Sequence, residues 1–494
     1  MTSQTKAMQA TDAASPDSRR WLALALLCVV QFMVILDLAI VNVALPSIKL
    51  DLGFSQGDLQ WVISAYALVF GGFLLLGGRA ADMLGRRRIF LGGIAVFTVA
   101  SLLAGLAWSE PSLIGARGLQ GLGAAIITPA ALSILSTTFA EGRERNIALG
   151  AWGAVGGFGA VAGVLLGGVL TDALSWEWIF FVNIPVGVLG FALAPLLLKE
   201  SRDASVTKFD APGAVLVTSG LSSLVYAITQ AGQKGWLAGE TLGVFAGSLA
   251  LLGAFVAWEL RHPEPLMRFG ILQTRTVSGA NVAGFILGTA LFSMFLMLTL
   301  YMQQVLGYSA MKTGLAYLAV AGTAIIWSGV AGQLVTRVGV KPVLVIGMAM
   351  LTVGLLFFTQ VSVGGSYLGD LMPGFLIIGV GIGFSFVPIS IAALAGVTAS
   401  EAGLASGLIN TSQQIGGALG IAALSSIATS GTKDSLGTGA ALPVALVDGF
   451  HSAFLVGAII AAVGLVAALT LIRRDELEGE VVPELAAEPA LDAA

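Results

Sequence analysis

Asp37 and Arg117 are charged residues set inside apolar runs of the chain. An ionised carboxylate is costly in such a setting. Asp37 is therefore expected to be buried neutral, to face a watery cavity, or to pair with a cation. Arg117 is the basic residue placed well inside a run, and an Arg at that depth needs a partner too. A helical rise of ~1.5 Å per residue puts Asp37 about 12–14 Å from the end of its run. The same rise puts Arg117 about 8–10 Å from the corresponding end of its own run, counted from Glu110 and Pro111. An acid and a base at similar depth admit two readings. In one, Asp37 carries a proton, and Arg117 keeps the acid able to release it near neutrality. In the other, the two form a static ion pair that orders a helix bundle. Gln120, three residues after Arg117, shares its helix face and is expected to steady the guanidinium rather than touch a ligand.

The elements that position these residues are legible from composition. Of 494 residues 56% are hydrophobic and 11% charged, and mean hydropathy is +0.92. A soluble chain is about one quarter charged, so lipid must cover this one. The 65 glycines fit close helix packing in a bilayer. Runs of about 20 apolar residues, the length that crosses a bilayer core, fall near 21–45, 59–78, 89–108, 112–137, 147–171, 178–198, 213–230, 241–260, 277–302, 313–336, 343–361, 371–397, 403–429 and 450–472. The expected fold is an all-α polytopic membrane protein with fourteen spans.

Charge placement supports that reading. With the N-terminus inside, nineteen of the 24 basic residues fall in cytoplasmic segments. The external loops hold four: Lys49, Lys234, Lys312 and Lys433. Cytoplasmic loops carry such an excess, so both termini are expected in the cytoplasm, on a multi-pass chain in a bacterial plasma membrane. Ser18, Arg19, Arg20, Trp21 and Leu22 resemble a twin-arginine export signal. The long run behind them reads instead as an uncleaved first span. The single cysteine, Cys28, makes no intramolecular disulfide. Neither a metal-binding cluster nor a nucleophile–base pair appears, the histidines His262 and His451 are far apart, and no G-x4-G-K-[ST] motif points to ATP. The chain is expected to be neither an enzyme nor a nucleic-acid binder. It is expected to need no cofactor and to sit in lipid as a monomer; protons as coupling ion and a small-molecule substrate come only with the family resemblance below.

Gly78 to Arg87, after the second span, echoes Gly332 to Lys341, after the tenth: Gly78 with Gly332, Gly85 with Gly339, Arg87 with Lys341. The echo implies duplicated halves, an organisation typical of secondary transporters, which hold the substrate site between the halves. The expected organisation is a cytoplasmic tail (1–20), a six-helix half (21–198), a two-helix insertion with flanking loops (199–270), a second six-helix half (271–472) and a cytoplasmic tail (473–494).

At this point the sequence resembles the major facilitator superfamily, and within it the fourteen-helix drug:proton antiporters. Leu36 to Pro46 is similar to L-D-x-T-I-V-N-V-A-L-P, with Ala39 in place of Thr. Gly78 to Arg87 is similar to G-x-L-x-D-R-x-G-R-R, departing at Ala80 and Met83. Arg117 to Gly123 matches R-x-x-Q-G-x-G. Trp176 to Pro185, with Asn183, resembles W-R-W-I-F-x-x-N-x-P, with Glu177 in place of Arg. Asn410 to Gly420 resembles the thirteenth helix.

The resemblance implies that the helices bearing Asp37 and Arg117 both line a central cavity, with Asp37 as proton carrier. It implies a gating loop of Gly78, Asp82, Gly85, Arg86 and Arg87, with Asp82 reaching the N-terminus of the thirteenth helix near Ser400. Gly150, Gly159, Gly163, Gly167 and Gly168 match the glycines of the antiporter signature G-x8-G-x3-G-P-x2-G-G, and Val164 replaces its proline. Spacing of four puts Gly159, Gly163 and Gly167 on one stripe suited to close packing. For a largely apolar, amphipathic cargo, the candidates are Gln31, Phe32, Asn42, Tyr66, Gln120, Asn281, Phe285, Phe292, Trp327, Asn410 and Gln414. The reading is proton-coupled export of drugs, antibiotics or similar molecules by alternating access. The alternatives are dedicated export of a siderophore, peptide or amino acid, or a non-transporting membrane sensor.

Overall fold

The computed structural model describes residues 19–55, 57–139, 143–202, 210–263, 265–266, 269–397, 402–473 and 476–477. These form helices α1 (Arg19–Leu52), α2 (Trp61–Leu84), α3 (Arg86–Gly105), α4 (Glu110–Thr138), α5 (Arg143–Ala173), α6 (Trp178–Leu197), α7 (Ala211–Lys234), α8 (Gly239–Glu259), α9 (Arg275–Val305), α10 (Ala310–Val338), α11 (Val340–Phe358), α12 (Tyr367–Ala392), α13 (Ala402–Gly437) and α14 (Leu442–Leu471). The described residues contain no strand, as expected where a bilayer leaves backbone groups no partner outside their own helix. Twelve of these helices are long and apolar enough to cross a membrane, and α2, bent by 48° near Leu75, makes thirteen if counted as one. The described apolar stretch of α5, Ala162–Ala173, is shorter than a span.

Several helices outrun the apolar windows that announce them. The first window stops before Pro46, yet α1 continues to Leu52 with the proline inside it. Neighbouring helices hold this segment, since Val43, Ala44, Leu45 and Ile48 are all buried, and one lost backbone bond is tolerated there. Likewise α13 runs to Gly437 and α14 starts at Leu442. Hydropathy marks the apolar stretch, whereas backbone hydrogen bonding sets the helix end.

Packing repeats with an offset of eight helices. In the first set α1 packs on α5, and α4 on α2 and α3; in the second, α9 packs on α13, and α12 on α10 and α11. Gly85 and Gly339 occupy matching joints, with φ of 113° and 87°. Each donates its N–H four residues back, to Ala81 and Val335, as the next helix starts. A side chain is strained at such φ, which explains why glycine marks both copies of the echo. The two sets meet along α2/α13 and α5/α10. Between the sets in sequence, α7 and α8 pack on each other, and α7 also lies against both α2 and α13.

Candidate functional site

Asp37 on α1 and Arg117 on α4 meet in a fully buried network, both 0% exposed. Arg117 Nη1 lies 2.6 Å from Asp37 Oδ2 and donates to Gln120 Oε1 at 2.8 Å. Its Nε donates to the Val62 carbonyl on α2 at 2.8 Å. The guanidinium lies 4.5 Å over the Tyr66 ring and 5.7 Å from that of Phe180, geometry that favours a cation. Asp37 Oδ1 accepts from Gln120 Nε2 at 3.0 Å and from Asn183 Nδ2 at 2.8 Å. Ser101 on α3 accepts from Gln120 Nε2 at 2.8 Å and donates to the Phe97 carbonyl. The depth match read from helical rise thus corresponds to a direct contact.

The glycines beside Arg117 make this approach possible. A Cβ on Gly121 would lie 2.4 Å from the Tyr66 carbonyl oxygen, and one on Gly123 2.7 Å from the Phe97 backbone nitrogen. Without side chains at both, α4 wedges between α2 and α3, bringing Arg117 and Gln120 to Asp37. Gln120 does more than expected, since it bridges both charged groups. The sequence alone assigns no role to Asn183 or Ser101. Asn183 stood inside a recognised motif, which was the available signal; Ser101 is a lone serine whose role exists only through contacts between helices. A pair so enclosed can exchange a proton with water only when the surrounding helices separate.

The glycine stripe faces the helix that carries Asp37. Cβ atoms would meet Ile35 at Gly159 (3.1 Å), Ala39 and the Leu36 carbonyl at Gly163 (2.8 Å each) and the Ile40 carbonyl at Gly167 (2.7 Å). Gly168 points elsewhere, 2.7 Å by the same measure from Met311 Cα at the start of α10. Asp172 accepts from the Met311 N–H at 2.8 Å. One helix therefore packs on α1 along one stripe and on the second set of helices at its end. Gly150 lies on α5, but its surroundings are outside the described residues.

The expected gating loop from Gly78 to Arg87 is helical, belonging to α2 and α3 except at the Gly85 joint, and it is tied mainly to its own half. Asp82 Oδ1 lies 2.8 Å from Arg86 Nη2 and accepts from Arg86 Nε (2.9 Å) and Ser133 Oγ (3.1 Å). The Arg87 N–H donates to Glu200 and its Nη1 to the Leu198 carbonyl, while Gly78 packs on Pro129. Ser400, the expected partner of Asp82, lies outside the described residues. Replacing Asp82 by Asn removes a part-exposed brace worth up to about 1 kcal/mol. Flux in reconstituted vesicles is expected to slow up to about fivefold, with cargo binding, measured separately, nearly intact. Unchanged flux would restrict Asp82 to bracing the loop.

The cargo candidates divide. Gln31 accepts from Thr128 Oγ1 at 3.2 Å, and Asn281 accepts from Ser412 Oγ at 2.9 Å and donates to the Val277 carbonyl. Phe285 and Phe292 lie against Gly416 and Gly417 of α13, and Phe32 lies near Gly159. Asn42, Tyr66 and Gln414 are buried, and among the described residues Asn42 Oδ1, Tyr66 Oη and Gln414 Nε2 have no hydrogen-bond partner. Asn410 is exposed, one residue before Thr411, whose hydroxyl donates to the Gly71 carbonyl of α2. Trp327 is not brought to this group: it is 36% exposed, with its ring edge-on to Phe384 of α12.

A bundle whose described residues form apolar membrane-length helices in two packed sets, with a charged pair buried inside the first set, is the architecture of a polytopic membrane transporter. Residues 27–421 match the Major Facilitator Superfamily, and the chain belongs to that family. It is 40% identical to the puromycin resistance protein pur8 of Streptomyces alboniger, over 91% of this chain and 90% of the relative. It is 39% identical to the cephamycin export protein CmcT of Amycolatopsis lactamdurans, over 86% and 88% of the two chains. Among solved structures it resembles a bacterial homologue of the human lysosomal transporter Spinster in an inward-facing, unoccupied conformation. That similarity has a TM-score of 0.65 at 16% identity and covers 93% of this chain and 98% of the other.

Proposed function

We propose that the protein is a proton-coupled drug:proton antiporter of the fourteen-span type, exporting antibiotics or similar amphipathic molecules across a bacterial plasma membrane. The buried Asp37–Arg117 pair carries this reading, because an intramembrane acid held by one cation is a natural place to bind and release a proton. Similarity to resistance and export proteins supports an outward direction and a drug-like cargo. The unpartnered polar atoms of Asn42, Tyr66 and Gln414 suit a cargo bound by few polar contacts within an apolar lining. The protein needs no cofactor beyond the coupling proton, catalyses no covalent step and acts as a monomer. Cells expressing it are expected to gain resistance to some members of an antibiotic panel that includes puromycin. Proteoliposomes should move those compounds when a pH gradient is imposed. Resistance to a single compound with no other transport would instead favour a dedicated exporter.

The topology in this proposal puts both termini in the cytoplasm, on the grounds of the basic-residue asymmetry. Reporter fusions after Arg88, Arg145, Arg275 and Arg474 are expected to read as cytoplasmic, and those after Lys234 and Lys433 as external. If Lys234 and Arg275 fell on one side, α7 and α8 would not be two membrane spans.

A further inference from the structure

The start of α7 and the end of α8 hold a group of titratable side chains that the transport site does not use. Asp210, the N-cap of α7, is 0% exposed, and Glu259, the last residue of α8, is 3% exposed. Asp210 Oδ1 accepts from the Gly213 N–H at 2.9 Å and from Trp258 Nε1 at 2.8 Å. Its Oδ2 lies 4.0 Å from His262 Nδ1, and the His262 ring stacks on that of Trp258. A Cβ at Gly213 would lie 2.6 Å from Asp210 Oδ2 and 2.5 Å from Glu259 Oε1. Both oxygens therefore crowd one point, roughly 5 Å apart at most, and only glycine leaves room for them.

Two buried carboxyls this close do not both ionise, and one proton held between them removes the repulsion. We infer that Asp210 and Glu259 share a single proton, forming a second protonation site of this protein, seated in the α7–α8 pair and separate from Asp37. The Glu259 carboxyl keeps the proton and donates it in a hydrogen bond to the Asp210 carboxylate. Burial pushes the Asp210 carboxyl up, but bonds from Gly213, Trp258 and Glu259, with His262 nearby, leave it below its usual range. The two N–H donors at Asp210 Oδ1, from Gly213 and Trp258, suit an ionised carboxylate there.

The site has a mechanical outlet. Ala214, one turn into α7, packs with Leu76 of α2 and with Leu266 beyond α8, and Arg79 of α2 donates to the Pro265 carbonyl at 2.9 Å. Loss of the shared proton sets two anions against each other and loosens α7 from α8 next to Leu76 and Arg79 of α2. The other charged groups nearby are His262 and Arg261 beyond α8 and Arg79 on α2. Residues 402–432 of α13, which also packs on α7, carry no charge.

The test uses the full chain in lipid nanodiscs and needs no cargo, so its outcome is independent of the transport proposal. A carboxyl that keeps its proton on folding stabilises the folded state below its unfolded pKa, and this is lost as pH rises through the folded pKa. In a His262→Gln background, which removes the imidazole, the melting temperature is expected to fall by several degrees between pH 6 and pH 9. Adding Glu259→Gln, which keeps a donor to Asp210 without a titrating proton, should flatten that slope. Asp210→Asn, which removes the other carboxyl, should flatten it as well. The infrared band of a protonated carboxyl should be present at pH 7 and missing from Glu259→Gln. Equal pH slopes with and without Glu259, or no loss of that band, would overturn the shared proton.

Discussion

Asp37→Asn is expected to abolish export driven by a pH gradient and to destabilise the bundle. The carboxylate answers Arg117, Gln120 and Asn183 at once, all within 3.0 Å. An Asn presents one acceptor and one NH2 group, so a donor now faces the guanidinium or its neighbours. Breaking a buried pair from one side leaves an uncompensated charge and costs about 3–5 kcal/mol. Thermal unfolding of the purified variant should register that loss. Arg117→Ala should be at least as damaging, because Asp37 loses its cation and the Val62 carbonyl loses a donor. The coupling role and the static role separate in the double variant Asp37→Leu with Arg117→Leu. Replacing both partners of a buried pair by apolar groups is often neutral for stability, so this protein should fold. It should still fail to concentrate cargo against a gradient, whereas exchange of labelled for unlabelled cargo can persist. Wild-type pH-driven transport by the double variant would make the pair structural and move the search for the coupling acid elsewhere.

The sequence exposed the pair because charge inside an apolar run is conspicuous and helical rise converts position into depth. It also exposed the joints at Gly85 and Gly339, since both copies of the echo need a residue free to adopt positive φ. Asn183 and Ser101 stayed hidden for the opposite reason. A lone polar residue on an apolar helix looks like any other in one dimension, and only the crossing of α1, α3, α4 and α6 gives these two their partners. Trp327 shows the same limit: an aromatic on a membrane helix carries no mark of which neighbour it faces, and its contact with Phe384 is visible only in the packing. Gly121 and Gly123 were recognised as parts of a motif, while their purpose, backbone contact with α2 and α3, required the packing. Asp210 and Glu259 illustrate the limit most sharply, because 48 residues and a helical hairpin separate two carboxyls that share one pocket.

The second large effect is expected at the glycines of α5, where two neighbouring positions should fail in different ways. Gly163 faces α1 within the first set of helices, and a Cβ there would sit 2.8 Å from both Ala39 Cβ and the Leu36 carbonyl. Leu36 adjoins Asp37, so Gly163→Leu pushes on the segment that holds the buried pair. Overpacking of a tight core costs typically about 1–3 kcal/mol, and this variant should lose melting temperature and transport together. Gly168 faces the second set, 2.7 Å by the same measure from Met311 Cα. Gly168→Leu leaves the α1/α5 contact intact and wedges α5 from α10. Alternating access requires this end of the bundle to close and reopen, so blocking closure should cut transport at least tenfold with little change in melting temperature. A cysteine introduced at Ala310, which is 4% exposed and whose carbonyl lies 2.9 Å from a Cβ at Gly168, reports the state directly once Cys28, the single native cysteine, is replaced by Ser. Labelling of that cysteine by a membrane-impermeant reagent should increase in Gly168→Leu and stay low in Gly163→Leu. Similar labelling in the two variants would mean that Gly168 is one more packing glycine, and that α5 and α10 do not form a closing contact between the halves.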